Sequence, residues 1–362
     1  VMIDSLRKCG VNIQSSDAGR MIEVDVSQRQ IDSDQRRDLF LANSGTSIRF
    51  LTAALSAAGG KYHLRGVDRM HARPIADLVD ALAAVQSGVI KTESPGGCPP
   101  VEIVSNGWTD RPIRVGGSVS SQYLSGLMMA APIALSSPVR QSDSANTIQI
   151  DVIGELVSRP YVQMTASVMR SFGASVEVQD FIQGPRVSPA DATGTRVVVG
   201  GDGYTGTEYA IEPDASAASY FWAAAAITGG KVTVMGLTPD AIQGDVGFCK
   251  VLEKMGSEFH CDADGMTISG RASRGIDIDM NPISDTVQTL AVVALFADGP
   301  TRVRGVAHNR FKETDRIGDL ACELRKLGAR IDEHEDGLTI HPPENGVQSA
   351  VLETYHDHRM AM

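Results

Sequence analysis

One local pattern recurs along the chain: a helical run ends at a hydrophobic residue followed by glycine, and a short alternating strand comes next. Clear copies end at Gly10, Gly173, Gly256 and Gly328, and a weaker copy ends at Gly88. Glycine suits this position because the residue that ends a helix often adopts a left-handed conformation, which penalises a Cβ atom. The copies lie roughly 70 to 85 residues apart, far more than the period of about 20 to 50 residues in solenoids. We therefore expect repeated α/β subdomains, although any α/β protein has several such junctions.

The length and one turn-rich segment indicate two domains. The chain has 362 residues, which exceeds a typical single domain of about 100 to 200 residues. Glycines crowd the segment 200–206, and a fresh helical run follows from Asp214, a residue type that often caps helix N-termini. We place the domains at 1–211 and 212–362.

Charge and composition exclude several partner classes. The formal net charge of −11 opposes binding to nucleic acid or an anionic membrane, because the overall field repels polyanions. No apolar run reaches the roughly 18 residues that a membrane-spanning helix needs. Scattered cysteines without a C-x-x-C pair favour free thiols in a reducing compartment. We predict a cytoplasmic protein whose small anionic substrates bind a local basic cluster.

Several turns in the first half can hold an anion where they enter a helix. They are Asn43-Ser-Gly-Thr-Ser-Ile-Arg49, Asp68-Arg-Met-His-Ala-Arg-Pro-Ile75, Ser118-Val-Ser-Ser-Gln-Tyr-Leu124 and Ser158-Arg-Pro-Tyr161. Backbone N–H groups and hydroxyls at a helix start bind anions, and arginine adds a two-pronged clamp. Arg69 and Arg73 both stand in or beside the second turn. Each turn alone can equally be an ordinary helix cap.

The second half adds a candidate base and a charged segment. Asp285 precedes an apolar helical run, where it can cap the helix or take a hydroxyl proton as a general base. The segment from Lys312 to Arg316 alternates charges and can be either a solvated face or part of a site. His356 and His358 lack a third ligand nearby, so we predict no metal.

Together these motifs closely resemble the 5-enolpyruvylshikimate-3-phosphate (EPSP) synthase family. The resemblance rests on Asn43–Arg49, Arg69–Ile75, Ser120-Ser-Gln122, Lys312-Glu-Thr-Asp-Arg316 and Asp357-His-Arg-Met-Ala-Met362. It implies an α/β, two-domain enolpyruvyl transferase fold built from repeated βαβαββ units, with the active site in the interdomain cleft. It also implies a monomer without metal or organic cofactor. The implied reaction transfers the enolpyruvyl group of phosphoenolpyruvate to the 5-hydroxyl of shikimate 3-phosphate and releases phosphate.

The resemblance also implies a role for each site residue. Asp285 removes the hydroxyl proton, Glu313 protonates the methylene carbon, and Lys312 and His358 complete the catalytic set. The phosphoenolpyruvate ligands are Asn43, Gly45, Thr46, Arg49, Arg69, Gln122, Arg316 and Arg359. The shikimate 3-phosphate ligands are Ser120, Ser121, Gln122, Ser158, Tyr161, Asp285, Asn309 and Lys312.

Two departures from the family pattern add further expectations. A basic N-terminal segment and a lysine beyond Met362 are missing from these residues, so we expect a chain truncated at both ends, with weak or no turnover. Phe50 stands where many family members have proline. Because Gly45 is retained, we expect the pocket to admit glyphosate, an analogue of phosphoenolpyruvate.

Two other functions stay open. A sister enzyme transfers enolpyruvyl to UDP-N-acetylglucosamine and uses a loop cysteine, and Cys98 lies in a suitable loop. That sister family lacks the paired motifs at Lys312–Arg316 and Asp357–Met362. The second alternative is a non-catalytic fragment that binds shikimate 3-phosphate without converting it.

Overall fold

The computed structural model describes residues 1–26, 35–116, 121–136, 139–140, 146–154, 156, 159–182, 193–201 and 203–362. Ser120 and Ser158, two of the predicted substrate ligands, lie outside these residues. The helices are α1 (Met2–Lys8), α2 (Gly45–Ala58), α3 (Ala76–Ala83), α4 (Ser121–Leu135), α5 (Arg159–Ser171), α6 (Ala215–Thr228), α7 (Phe248–Lys254), α8 (Val287–Ala294), α9 (Gly318–Lys326) and α10 (His358–Ala361).

The strands fall into five sheets within the described residues. They are β1 (Asn12–Ser16), β2 (Met21–Asp25), β3 (Arg36–Phe40), β4 (Gly60–Arg65), β5 (Gln86–Ser94), β6 (Cys98–Trp108), β7 (Ile113–Gly116), β8 (Thr147–Ile153), β9 (Ser175–Ile182), β10 (Thr193–Gly200), β11 (Lys231–Met235), β12 (Glu258–Cys261), β13 (Gly265–Ser269), β14 (Asp277–Asp279), β15 (Thr301–Arg304), β16 (Arg330–His334) and β17 (Gly337–His341).

Three four-stranded sheets share one topology. Their strand orders are β3-β4-β6-β5, β7-β8-β10-β9 and β14-β15-β17-β16. In each sheet the first pair is parallel and the other pairs are antiparallel. A helix joins the parallel strands, as a parallel crossover requires, and a second helix leads into the closing hairpin. The predicted repeat of βαβαββ units is therefore confirmed, and the sheet β11-β13-β12 repeats the same order without a first strand.

Four of the predicted glycines follow a helix that leads into a hairpin. Gly10, Gly173, Gly256 and Gly328 have φ angles of 82°, 86°, 116° and 92°. Each stands between a helix and the first strand of a hairpin. Any residue with a Cβ atom is strained in this backbone region, so the sequence pattern located these four junctions correctly.

The fifth copy, at Gly88, was wrong as a helix end. Helix α3 ends at Ala83, and Gly88 lies within β5 beside a shift in the register with β6. A Cβ atom on Gly88 would overlap the carbonyl oxygen of Val104. The glycine is needed there for close approach of two strands rather than for a helix cap.

The chain separates into two compact units. Unit 1 comprises Val1–Leu156 and Thr165–Thr207, and unit 2 comprises Val157–Met164 and Glu208–Met362. Helix α6 is buried in unit 2 around Trp222, whose indole N–H donates to the backbone oxygen of Met266 at 3.1 Å. The assignment of functional domains to 1–211 and 212–362 stays a prediction. None of the helices in the described ranges has both the length and the apolar character needed to cross a membrane.

Candidate active site

The first turn of α2 carries a polar cluster in unit 1. Ser44 caps the helix by accepting a hydrogen bond from the backbone N–H of Ser47 at 3.3 Å. Arg49 is buried and donates to Gln122 Oε1 at 2.6 Å. Gln122 in turn donates through Nε2 to Thr46 Oγ1 at 3.1 Å. The start of α4 thus holds the guanidinium of Arg49 beside the N-terminal end of α2, where the helix dipole favours anions.

Arg73 joins this cluster, although the predicted ligand set contained Arg69. The Arg73 side chain is buried, and its Nη1 donates to the backbone oxygen and to Oδ1 of Asn43, at 2.8 Å and 3.2 Å. A Cβ atom built on Gly45 would overlap Arg73 Nη2 and lie 3.0 Å from Arg49 Nη1. Two buried guanidinium groups therefore face the Cα atom of Gly45.

Arg69 occupies a different position. It is half-buried at the start of the 3-10 helix Met70–Ala72. Its contact with phosphoenolpyruvate stays a prediction. Both Arg69 and Arg73 belong to this turn, and nothing in the local sequence, including Pro74, indicated that Arg73 would lie beside Gly45. Ser121, another predicted ligand, is buried as the first residue of α4.

Asp285 is the centre of a polar cluster in unit 2. Its Oδ2 accepts a hydrogen bond from the hydroxyl of Tyr161 at 3.3 Å. Three cationic groups surround the same carboxylate: Lys312 Nζ at 3.9 Å, Arg316 Nη1 at 3.2 Å and Arg359 Nη2 at 3.4 Å. The structure therefore brings together five residues that the sequence assigned to the site.

The cations decide the charge of Asp285. Burial raises its pKa, but the opposing charges of Lys312, Arg316 and Arg359 outweigh burial and hold the pKa well below its usual range. The alternative role predicted from the sequence, in which Asp285 caps α8, is not observed. The N-cap residue of α8 is Thr286, and a 3-10 helix, Asn281–Thr286, carries Asp285 into the cluster.

Arg316 connects three carboxylates. It is 2% exposed and binds both oxygens of Asp357, with Nε at 2.7 Å and Nη2 at 3.0 Å. Its Nη2 also donates to Glu313 Oε2 at 2.8 Å, and Nη1 reaches Asp285. Asp357 is 1% exposed, so this is a buried ion pair whose charges satisfy each other. Such a guanidinium is fixed in place before any substrate arrives.

Asp357 also starts α10 and so orients the last basic residues. Its Oδ1 accepts from the backbone N–H of Arg359 at 2.8 Å. The Arg359 side chain extends to Tyr220, donating to the phenolic oxygen at 3.2 Å, as well as to Asp285. His358, predicted to be catalytic, has an exposed ring whose Nδ1 lies 3.7 Å from Asp357 Oδ1.

His308 and Asn309 support the turn before Asp285. Asn309 is fully buried and donates through Nδ2 to the backbone oxygen of Ser284 at 3.1 Å. His308 Nε2 lies 3.0 Å from Ser284 Oγ. Burial, helped by the charge of Lys312, lowers the pKa of His308 to about 4, so the imidazole is neutral at pH 7. Asn309 was predicted to bind shikimate 3-phosphate, and here its amide holds the backbone beside the candidate base.

Sequence reasoning missed two buried acids. Asp357 belongs to the C-terminal motif Asp357–Met362, so its role could have been considered from the sequence. Asp245 lies in the 3-10 helix Gly244–Gly247, and no local sequence pattern marked it. It is 3% exposed, accepts from the hydroxyls of Ser216 and Tyr161, and burial raises its pKa to about 6.

Two other features bear on the chemistry. In the ranges that the structure describes, no group of three or more His, Cys, Asp or Glu side chains is placed to hold a metal ion. Cys98 begins β6 and is buried, and burial raises the pKa of its thiol. A buried, protonated thiol does not have the microenvironment of a reactive cysteine.

Comparisons with known proteins assign the chain to a family. The EPSP synthase (3-phosphoshikimate 1-carboxyvinyltransferase) family matches residues 1–362. The chain is 42% identical to the chloroplastic 3-phosphoshikimate 1-carboxyvinyltransferase of Arabidopsis thaliana, covering 100% of this chain and 68% of that one. It is 42% identical to the enzyme of that name from Paraburkholderia phytofirmans, covering 100% and 80%. An EPSP synthase structure from Acinetobacter baumannii has the same fold, with a TM-score of 0.68, 23% identity, and coverage of 99% of this chain and 78% of that chain. The chain therefore belongs to the EPSP synthase family.

Proposed function

We propose that Asp285 is the general base with which this chain transfers the enolpyruvyl group of phosphoenolpyruvate to the 5-hydroxyl of shikimate 3-phosphate. The products of this transferase reaction are 5-enolpyruvylshikimate 3-phosphate and phosphate. The proposal rests on the three cationic groups around Asp285, which belong to Lys312, Arg316 and Arg359. These cations keep the carboxylate ionised, and an ionised carboxylate can accept a hydroxyl proton.

The cluster in unit 1 supports binding of phosphoenolpyruvate. Arg49 and Arg73 are buried and both face Gly45, where only a hydrogen atom separates them from the backbone. Guanidinium groups bind phosphate and carboxylate through paired N–H donors, so two of them suit a small dianion. We add Arg73 to the phosphoenolpyruvate ligands, and Asn43, Gly45, Thr46, Gln122 and Arg69 remain proposed ligands with it.

The charge balance in unit 2 supports Glu313 as the acid that protonates the methylene carbon. Arg316 is shared by Asp285, Glu313 and Asp357, so its positive charge is already neutralised within the protein. A bound phosphoenolpyruvate anion at Arg316 or Arg359 would add negative charge beside Glu313. Added negative charge favours the protonated form of a carboxyl group, which is the form an acid needs. Addition of the 5-hydroxyl oxygen then gives a tetrahedral ketal phosphate, and in the elimination the Glu313 carboxylate takes back a methyl proton as the C–O bond to phosphate breaks.

The experiment compares two Asp→Asn variants by phosphate release with both substrates. Asp285→Asn keeps the size of the side chain but cannot take the proton, so we expect kcat to fall by about a hundredfold or more. Asp277→Asn is the matched control, because Asp277 is exposed and pairs with Arg304 on β15. If Asp285→Asn retains kcat within threefold of the native protein, Asp285 is not the base. Phosphate release with UDP-N-acetylglucosamine in place of shikimate 3-phosphate would favour the sister activity instead.

We also propose that the enzyme acts as a monomer in the cytoplasm and uses no cofactor. The compartment is supported by five free thiols, Cys9, Cys98, Cys249, Cys261 and Cys322. Light scattering coupled to gel filtration tests the monomer: a mass near 38.5 kDa is expected, and a mass near twice that value would contradict it.

A further inference from the structure

The hydroxyl of Tyr161 lies between two carboxyl groups. Its oxygen is 3.4 Å from Asp245 Oδ2 and 3.3 Å from Asp285 Oδ2. A phenol has one proton, so it donates to one of these oxygens at a time. Burial and the two acidic neighbours raise the pKa of Tyr161, so the hydroxyl keeps that proton. The second contact is favourable only when the other carboxyl group carries a proton and donates it to the phenolic oxygen.

The surroundings of the two acids decide which one carries the extra proton. Asp285 faces three cationic groups and is therefore ionised. Within the described residues, no Lys, Arg or His nitrogen lies at ion-pair distance from Asp245, and its Oδ1 has no hydrogen-bond partner. Asp245 is 3% exposed, so water cannot stabilise its charge.

The groups that act on Asp245 come from several elements. Burial and the negative charge of Asp285 raise the pKa of Asp245, whereas Ser216, Arg359 and Tyr161 lower it, and the net result is a pKa of about 6. Electrostatic coupling between two titrating groups is mutual. The charge of Asp245 therefore acts on Asp285 as strongly as the charge of Asp285 acts on Asp245.

We propose that Asp245 is a positioning residue that, through Tyr161, sets the strength of Asp285 as a base. With its proton bound, Asp245 directs the Tyr161 hydroxyl onto Asp285, and this hydrogen bond weakens the base. Once ionised, Asp245 competes for the Tyr161 proton and adds negative charge near Asp285, which strengthens the base. The inference rests on the proposed role of Asp285.

The activity test is a pH profile of kcat between pH 5 and 8 for the native chain, Asp245→Asn and the control Asp277→Asn. Asparagine fixes position 245 in a neutral state. We expect the native and Asp245→Asn proteins to have similar kcat at pH 5, where native Asp245 is also neutral. At pH 8 the native kcat should be about fivefold higher, because a change of about one unit in the pKa of a general base changes its rate several-fold. A ratio that stays constant across this range, as a merely structural role would give, overturns the inference.

A second measurement does not depend on activity. Carbon-13 NMR of labelled aspartate carboxyl groups should show one group that titrates near pH 6 in the native protein and in Asp277→Asn. In Asp285→Asn its midpoint should move to lower pH, because the neighbouring negative charge is gone. An unmoved midpoint overturns the coupling even if Asp245→Asn does not fold. Near-native activity of Asp285→Asn would instead contradict the proposed base, so the two failures are distinguishable.

Discussion

Replacing Gly45 with alanine probes the arginine pair in unit 1 most sharply. The new methyl group would overlap Arg73 Nη2, lie 2.9 Å from Arg73 Cζ and lie 3.0 Å from Arg49 Nη1. Neither guanidinium moves freely, because both are buried. Arg73 is tied to Asn43, and Arg49 is tied to Gln122 and lies 5.4 Å from the centre of the Tyr123 ring.

The cost follows from what the methyl group must displace. Moving a guanidinium off its rotamer costs about 0.5 to 1.5 kcal/mol. Losing one charge-assisted hydrogen bond to the bound anion costs about 1.5 to 3 kcal/mol. The sum, about 2 to 4.5 kcal/mol, corresponds to a rise in the KM for phosphoenolpyruvate of roughly thirtyfold to two-thousandfold. The kcat should change little, because Asp285 in unit 2 is untouched.

The assay is steady-state phosphate release with each substrate varied in turn. Gly206→Ala is the matched control, since a Cβ atom there meets nothing within 4 Å. Glyphosate inhibition follows the same contacts, so its inhibition constant should rise with the KM for phosphoenolpyruvate in Gly45→Ala. If Gly45→Ala keeps the native KM for phosphoenolpyruvate within twofold, the arginines do not hold this substrate.

Three further predictions concern unit 2. Asp357→Asn leaves Arg316 without its buried partner, so urea unfolding should show a loss of about 3 kcal/mol, and a loss below about 0.5 kcal/mol would contradict a structural ion pair. The pKa of His308 in the folded protein, about 4, lies below the ordinary 6.5, so its contribution to stability is present above pH 6.5 and is lost as the pH falls toward 4. Relative to His308→Gln, the native protein should lose about 3 kcal/mol of unfolding free energy over that interval, and parallel pH curves would refute this. Glu313→Gln should stop the entry of solvent deuterium into the methylene carbon of recovered phosphoenolpyruvate, and exchange at the native rate would assign the proton to another group.

The sequence predicted the repeating units because their junctions depend on local chemistry. A helix end that needs a positive φ angle selects glycine wherever it occurs, and four such sites have the expected backbone. The prediction of a helix end at Gly88 was wrong because close approach of two strands also selects glycine, for a different reason. Local sequence does not distinguish these two requirements.

The candidate site residues were predictable where they belong to a recognisable sequence motif. Asp285, Lys312, Arg316 and Arg359 were named from their motifs and lie together in unit 2. Asp245 was missed because its hydrogen-bond partners, Ser216 and Tyr161, are 29 and 84 residues away in sequence, and packing rather than a local pattern sets those contacts. Arg73 was likewise absent from the predicted ligands, because its burial beside Gly45 depends on packing.

The most direct test of the account is a single-turnover rapid-quench measurement with Asp285→Asn. The variant should form the tetrahedral ketal phosphate at least a hundredfold more slowly than the native chain, because the 5-hydroxyl keeps its proton. Calorimetry should show that the variant still binds shikimate 3-phosphate. Formation of the adduct at the native rate would contradict the central claim that the Asp285 carboxylate takes the proton.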